Sequence, residues 1–269
     1  MPARHTHEQH VNMHRAAWDE GHRYLAAKRK RLPGWGDVFR DGTGTFNPLE
    51  RKLLDPIGVD GADVLQTSCA GDASQAFSFA LLGARVTASD FSAVAIEEAR
   101  QNAAAFGLKV HFQVEDTQRL DGLDNDRFDL VHVDGNLWCY EDLPLACRNW
   151  HRVLRPGGRL FLHEGHPLSG RCLEEQEDGA FRIVRGYTDK TPEYYRFGIQ
   201  DFVSESLDGV DFQHTLADML NAVMQAGFVW EQMLECDAEN ASFRAGGLGK
   251  KAAAAGLPHD FYLIARKKE

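Results

Sequence analysis

Apolar and polar positions change period several times along the 269-residue chain. From residue 64 onward, short apolar runs alternate with amphipathic stretches. Val64-Leu65-Gln66-Thr67 and residues 85–89, 109–114, 128–133 and 159–164 are rich in β-branched and aliphatic side chains and predict strands. Residues 73–82, 92–106 and 141–153 repeat apolar positions every three or four residues and predict helices, stopped by Gly83, Gly107 and Pro156-Gly157-Gly158. A helix over 216–225 and strands over 228–235 and 260–266 close the pattern. Strands and helices alternating through short turns build a parallel sheet with helices on both faces.

The flanks read differently. Residues 14–31 predict a helix that Leu32-Pro33-Gly34-Trp35-Gly36 breaks, and 47–55 predicts a second, with Asn47 as cap and Pro48 in its first turn. The first fifteen residues are polar and carry His5, His7, His10 and His14; they read as a loosely ordered terminus with surface histidines, and the metal-type spacing of His10 and His14 is given less weight. Residues 165–211 lose the rhythm and are acidic and aromatic, which predicts a functional lid, with room for an edge hairpin. Residues 237–257 read as loop.

Composition narrows the classes. Hydrophobic residues make up 43% and charged residues 26%, so the chain is globular. Its net charge of −10 disfavours nucleic acid, since phosphate contacts need many cations. No run is long and apolar enough to cross a bilayer, so no membrane partner is expected. Five irregularly spaced cysteines without a CxxC pair suggest reduced thiols in the cytoplasm. A homodimer stays open, with nothing in the residues to require one.

Candidate chemistry begins at the first strand-turn-helix, Val64-Leu65-Gln66-Thr67-Ser68-Cys69-Ala70-Gly71-Asp72. Asp90 ends the next strand, 19 positions after Gly71. In doubly wound sheets such a carboxylate accepts hydrogen bonds from a ribose, and the turn lets a ligand approach the backbone. A dinucleotide needs three glycines and a free helix N-terminus for its diphosphate. Here Gly71 stands alone, and Asp72 puts negative charge there. S-adenosylmethionine (AdoMet), with a sulfonium and no phosphate, suits this turn better.

The chain resembles the class I AdoMet-dependent methyltransferases. The resemblance rests on the first turn, on Ala88-Ser89-Asp90-Phe91-Ser92, on Val114-Glu115-Asp116-Thr117, on Phe128-Asp129-Leu130-Val131-His132-Val133-Asp134 and on Leu154-Arg155-Pro156-Gly157-Gly158-Arg159-Leu160, over about residues 60–167. It implies a Rossmann-like doubly wound seven-stranded sheet, mostly parallel with an antiparallel last strand. An N-terminal helical cap over 1–58 would precede a methyltransferase domain over 59–269, with a lid insertion at about 165–213. It also implies that Ser68, Cys69, Ala70 and Gly71 pass under the methionine, Asp90 holds the ribose, Phe91 covers the adenine, and Asp116 and Thr117 meet its edge. Asp134, Asn136 and Leu137 would lie beside the sulfonium, with Trp138 and Tyr140 flanking the methyl. Gln66 stands where the family usually has an acid, and Ser68 and Ala70 where it has glycines. The methionine amine therefore falls to Asp72 or to an N-terminal residue.

Methyl transfer needs a base only when the acceptor starts protonated. His163-Glu164-Gly165-His166-Pro167 follows the fifth strand, and strand alternation puts Glu164 and His166 on one face. His166 is the first candidate for base, with Glu164 beside it and His214 third. A metal is not expected, because the same alternation separates His163 from His166. Tyr194 and Tyr195 either wall an acceptor pocket or form the lid's own small core. The expected activity is methyl transfer to a small-molecule O, N or C acceptor, plausibly in bacterial secondary metabolism. The alternatives are an NAD(P)-dependent oxidoreductase and a non-catalytic AdoMet-fold partner subunit.

Overall fold

The computed structural model describes residues 6–236 and 255–268. Its centre is a seven-stranded sheet. The strands are β1 (Asp63–Thr67), β2 (Arg85–Asp90), β3 (Val110–Val114), β4 (Phe128–Asp134), β5 (Leu154–Gly165), β10 (Phe228–Cys236) and β11 (Asp260–Lys267), in the order β10-β11-β5-β4-β1-β2-β3. β11 runs antiparallel to both neighbours and the other pairings are parallel. Helices α4 (Ser74–Leu81), α5 (Ala93–Phe106), α6 (Leu143–Val153) and α8 (Leu216–Gln225) complete the crossovers. One face packs Phe77, Phe79 and Ile96; the other packs Trp150, Leu137 and Phe261. Both faces being covered explains the near-continuous apolar runs of the strands.

Strand bounds follow the sequence pattern except in β5, which starts five residues before the predicted 159. Leu154 pairs with Phe128 and Arg159 with Leu130, so Arg155-Pro156-Gly157-Gly158 is an irregularity inside the strand and not a turn ahead of it.

The N-terminus corrects an expectation. α1 (His7–Arg29) begins seven residues earlier than predicted, with Thr6 and Gln9 forming a capping box. His10 and His14 are buried, not surface residues, and His22 farther along the helix is buried as well. They lie on one helical stripe that meets α5 and the lid. His5 and residues 237–254 of the predicted loop lie outside the described residues. α2 (Asp37–Arg40) is a single turn; α3 (Pro48–Leu54) carries the Asn47 cap and the early proline as predicted.

The lid is more regular than its sequence suggests. After α7 (Pro167–Arg171) come two hairpins, β6 (Leu173–Glu175) with β7 (Phe181–Ile183), and β8 (Glu193–Ile199) with β9 (Phe202–Asp211). Neither joins the edge of the main sheet. β8 and β9 pack against α1 instead, where Phe197 seats its ring on Gly21 and Trp18.

Candidate active site

Strand order reverses between β1 and β4, and the crevice at their carboxyl ends is where doubly wound sheets bind ligands. The first turn crosses it. Ser68, Ala70 and Ala73 hold left-handed φ angles of 49°, 55° and 44° without being glycine, at a cost of roughly 1–2 kcal/mol each. Such strain persists only where surrounding structure fixes the backbone. Here the Ala70 amide donates to Asp90 at 3.0 Å and the Cys69 amide to the Ser89 carbonyl at 2.9 Å. Gly71 is not left-handed. A Cβ there would collide with the Glu98 carboxylate, which Arg29 of α1 grips through two bonds of 3.0 and 2.6 Å.

Above the turn lies a cavity of about 440 Å³. Ser68, Ala70, Asp90, Phe91, Asp116, Thr117, Asn136 and Tyr140 line it, so eight of the sequence candidates converge. Asp90 is buried; burial pushes its carboxyl up, against the pull of His22 and of the Ser92 and Ala70 amides. Asp116 accepts from the Gln118 amide at 2.9 Å and still faces the cavity. Tyr140 meets Ser68 at 3.1 Å, and burial pushes its hydroxyl up to about 12.

The roof of this cavity is α1, through Val11, His14, Trp18, His22, Leu25 and Arg29. The sequence reading missed these residues, although their spacing of three and four marks one helical face. His14 Nε2 and His22 Nδ1 are buried beside the cavity with no hydrogen-bond partner among the described residues. Unpaired buried donors and acceptors are costly, and a nucleoside's hydroxyls and ring nitrogens would pair them. The cavity therefore fits an adenosyl group.

A second cavity, of about 690 Å³, shares Ser68, Ala70, Asp72 and Asn136 with the first. Cys69, Asp134, Trp138, His163, Glu164, His259 and Asp260 also line it. Gln66 does not: its side chain meets His132 and the Thr67 carbonyl in the core. Leu137 is fully buried, and its amide donates to Glu164 at 2.7 Å.

A third cavity, of about 280 Å³, is lined by Trp138, Glu164, Gly165, Pro167, Gly170, Arg171, Phe212, His214 and Met219. His214 Nε2 donates to the Tyr140 carbonyl at 2.7 Å, and burial holds its pKa below the usual value. Arg171 lies over the Trp138 ring at 5.7 Å and pairs with Asp211. Burial raises the Glu164 carboxyl, while the Leu137 and Gly165 amides pull it down.

His166 is not brought to these cavities. β5 ends at Gly165, so strand alternation no longer applies, and His166 caps α7 instead. Its Nδ1 accepts from the Leu168 amide at 3.3 Å, and Nε2 meets Glu235 at 3.2 Å. Tyr194 and Tyr195 lie outside them too: Tyr194 bonds His10 at 2.9 Å and Tyr195 donates to Asp211 at 2.9 Å, so both tie the lid.

A doubly wound sheet with ligand cavities at its switch point defines the Rossmann-like class of nucleotide-binding domains. Residues 65–162 match the methyltransferase domain family. A ubiquinone biosynthesis O-methyltransferase of Xanthomonas euvesicatoria is 30% identical over 162 residues, covering 58% of this chain and 64% of the relative. An S-adenosyl-L-methionine-dependent Diels-Alderase of Neonectria is 30% identical over 147 residues, 52% of this chain and 55% of that one. The chain thus spans less than two thirds of these relatives' lengths. The crystal structure of an S-adenosylmethionine-dependent methyltransferase from Mesorhizobium loti superposes with a TM-score of 0.64 at 21% identity, covering 83% of this chain and 100% of that one. Residues 65–162 therefore carry a methyltransferase domain, set in a fold shared with solved AdoMet-dependent methyltransferases.

Proposed function

We propose that this chain transfers a methyl group from AdoMet to a small-molecule acceptor. The observation that carries the reading is the first cavity, where Asp90, Phe91, Asp116 and Thr117 meet under α1 at the carboxyl ends of the strands. When bound, AdoMet supplies a methyl group on positive sulfur, already activated toward in-line attack. The protein's own contribution is to bind, orient and exclude water. Asp90 and His22 take the ribose hydroxyls, Phe91 covers the base, and Asp116 and the Thr117 amide meet its edge. Orientation of the two reactants supplies roughly 7–11 kcal/mol of such a barrier.

The acceptor occupies the third cavity, between Trp138 and Phe212. His214 serves as base: donation from Nε2 to a backbone carbonyl leaves Nδ1 with its lone pair, ready for an acceptor proton. Arg171 favours an acceptor that carries or develops negative charge. Residues 1–58 act as the cap, 59–269 as the transferase domain and 165–213 as its lid. No disulfide joins the cysteines among the described residues, which suits a reducing cytoplasm, and the net charge of −10 argues against nucleic acid as acceptor. The methyltransferase-domain match over residues 65–162 favours this reading over an oxidoreductase.

Calorimetric titration with S-adenosylhomocysteine and with NADH tests the reading. Binding of the first and no response to the second is expected, and Asp90→Ala should weaken the first by roughly 1.5–3 kcal/mol, as for lost hydrogen bonds that a charged carboxylate accepts. Unchanged affinity would remove Asp90 from the ribose site. The Diels-Alderase relative favours one second reading, an AdoMet-holding protein that guides a reaction without spending the methyl. Release of S-adenosylhomocysteine on addition of acceptors decides between them.

A further inference from the structure

We propose that the amino-acid tail of the cofactor is held in the second cavity, its ammonium by Asp134 and its carboxylate by His259, with His163 and Asp260 as positioning residues. This rests on the AdoMet reading above. The first two cavities meet at Ser68, Ala70, Asp72 and Asn136, so a ligand with its nucleoside in the first runs on across the strained turn into the second. The tail is a zwitterion. Taking it out of water requires one acidic and one donating partner inside the cavity.

The position where the family usually carries an acid cannot serve, because Gln66 is turned into the core toward His132. Asp72 is held by the Ser74 hydroxyl at 2.6 Å where the two cavities join, so it borders the nucleoside's cavity as well as the tail's. Asp134, at the end of β4, is built for the task. Gln75 from the first turn of α4 donates to one of its oxygens, and His163 Nδ1 meets the other at 2.6 Å. His163 Nε2 reaches Asp260 at 2.9 Å, and its ring stacks on Tyr262 at 4.3 Å. With a carboxylate on each nitrogen, His163 has nothing left to offer a ligand. Its effect is to fix the direction of Asp134, whose carboxylate lines the cavity where an ammonium would enter.

His259 supplies the second, independent observation. It is 5% exposed and lines the same cavity, yet neither ring nitrogen has a hydrogen-bond partner among the described residues. Its Nδ1 stands 3.5 Å from Asp260, too far and too poorly aligned to count as one. The backbone on both sides is pinned: the His259 amide donates to Cys236 and its carbonyl accepts from His166, both at 2.9 Å. A fixed, buried, unsatisfied imidazole beside an acidic wall is costly alone. A carboxylate entering beside it relieves that cost, while the ammonium of the same tail answers the wall. The two groups of the zwitterion thus find opposite partners in one cavity.

Calorimetry on the full chain separates the tail from the nucleoside. S-adenosylhomocysteine carries the amino-acid tail, whereas 5′-methylthioadenosine keeps the nucleoside and thioether without it. His259→Phe keeps the ring volume and removes the donor; His259→Gln restores a donor; His163→Gln frees Asp134. Affinity for S-adenosylhomocysteine should fall roughly tenfold or more in His259→Phe and in His163→Gln, as for one lost hydrogen bond to a charged group. Affinity for 5′-methylthioadenosine should stay within about twofold, and His259→Gln should recover most of the loss. The ratio of the two affinities is the readout, so partial unfolding moves both together and leaves it unchanged. A His259→Phe protein that melts like wild type and keeps the wild-type ratio overturns the assignment. Wild-type protein that binds neither ligand overturns the cofactor reading, and this inference with it.

Discussion

Two histidines close to the same strand end show how little residue type settles by itself. Burial lowers the pKa of both His166 and His214. His166 spends Nδ1 on a helix cap and Nε2 on Glu235. His214 spends only Nε2, and its ring borders a cavity. A base must be neutral to accept a proton, and a depressed pKa keeps His214 neutral at pH 7. Activity should therefore hold as pH falls through the ordinary histidine value of about 6.5 and fail only below it. His214→Ala should lower turnover by about 10²-fold, the low end for general-base loss, with cofactor affinity unchanged. His166→Ala should leave turnover near wild type. Steady-state kinetics against pH on both variants checks this, and an acid limb above 6.5 would take the role from His214. The sequence could place Asp90 at the cavity because strand ends are legible in periodicity and spacing, while Asp116 and Asn136 come from the family resemblance. It could not sort the histidines, because alternation ends with the strand at Gly165 and the chain turns into α7.

At the scale of elements, the roof of the site is a helix from outside the matched domain. α1 holds its place through Arg29–Glu98 to α5, Asp19 to Ser92 at 2.5 Å, and Glu20 to Ser204 at 2.6 Å on β9. Its inward stripe of His10, His14, Trp18 and His22 was present in the sequence as a four-residue repeat. Without an apolar majority on that face, the pattern reads as a polar terminus; only the partner surface supplied by the hairpin explains it. The same geometry gives Gly71 a purpose that its φ does not. In Gly71→Ala the new methyl displaces the Glu98 carboxylate, and Arg29 loses both of its bonds there. Because the clash falls on a side-chain tip, the sheet should survive while α1 loosens. Hydrogen exchange should quicken across residues 7–29 and remain slow in β1, β4 and β5. Uniform acceleration would mean that Gly71 supports the whole fold, not the roof.

Across the whole molecule, three cavities lie in sequence from the α1 roof, over the strained turn, to the space beside α7 and His214. Closing the roof buries His14, whose pKa falls to about 4, chiefly from burial and then from His10, with Glu141 opposing. When the chain unfolds, His14 regains an ordinary value of about 6.5. Between those values the unfolded state binds a proton that the folded state refuses, so stability rises with pH across this window. The contribution is full above about pH 6.5 and is lost as pH falls toward 4, reaching about 3 kcal/mol by linkage. His7 and His10, both 3.0 Å from Glu141, sit in the same turn of helix. Through His14, acid thus acts on the roof, the element that closes over the cofactor. Thermal midpoints measured from pH 7 to 4 should fall steeply in the wild type and more gently in His14→Gln, which packs in the same place without titrating. Saturating S-adenosylhomocysteine at 100 times its dissociation constant should add about 2.7 kcal/mol of stability. That gain should appear as slower exchange in α1 before any other element. Parallel acid profiles for wild type and His14→Gln would show that the roof's closure does not depend on this histidine.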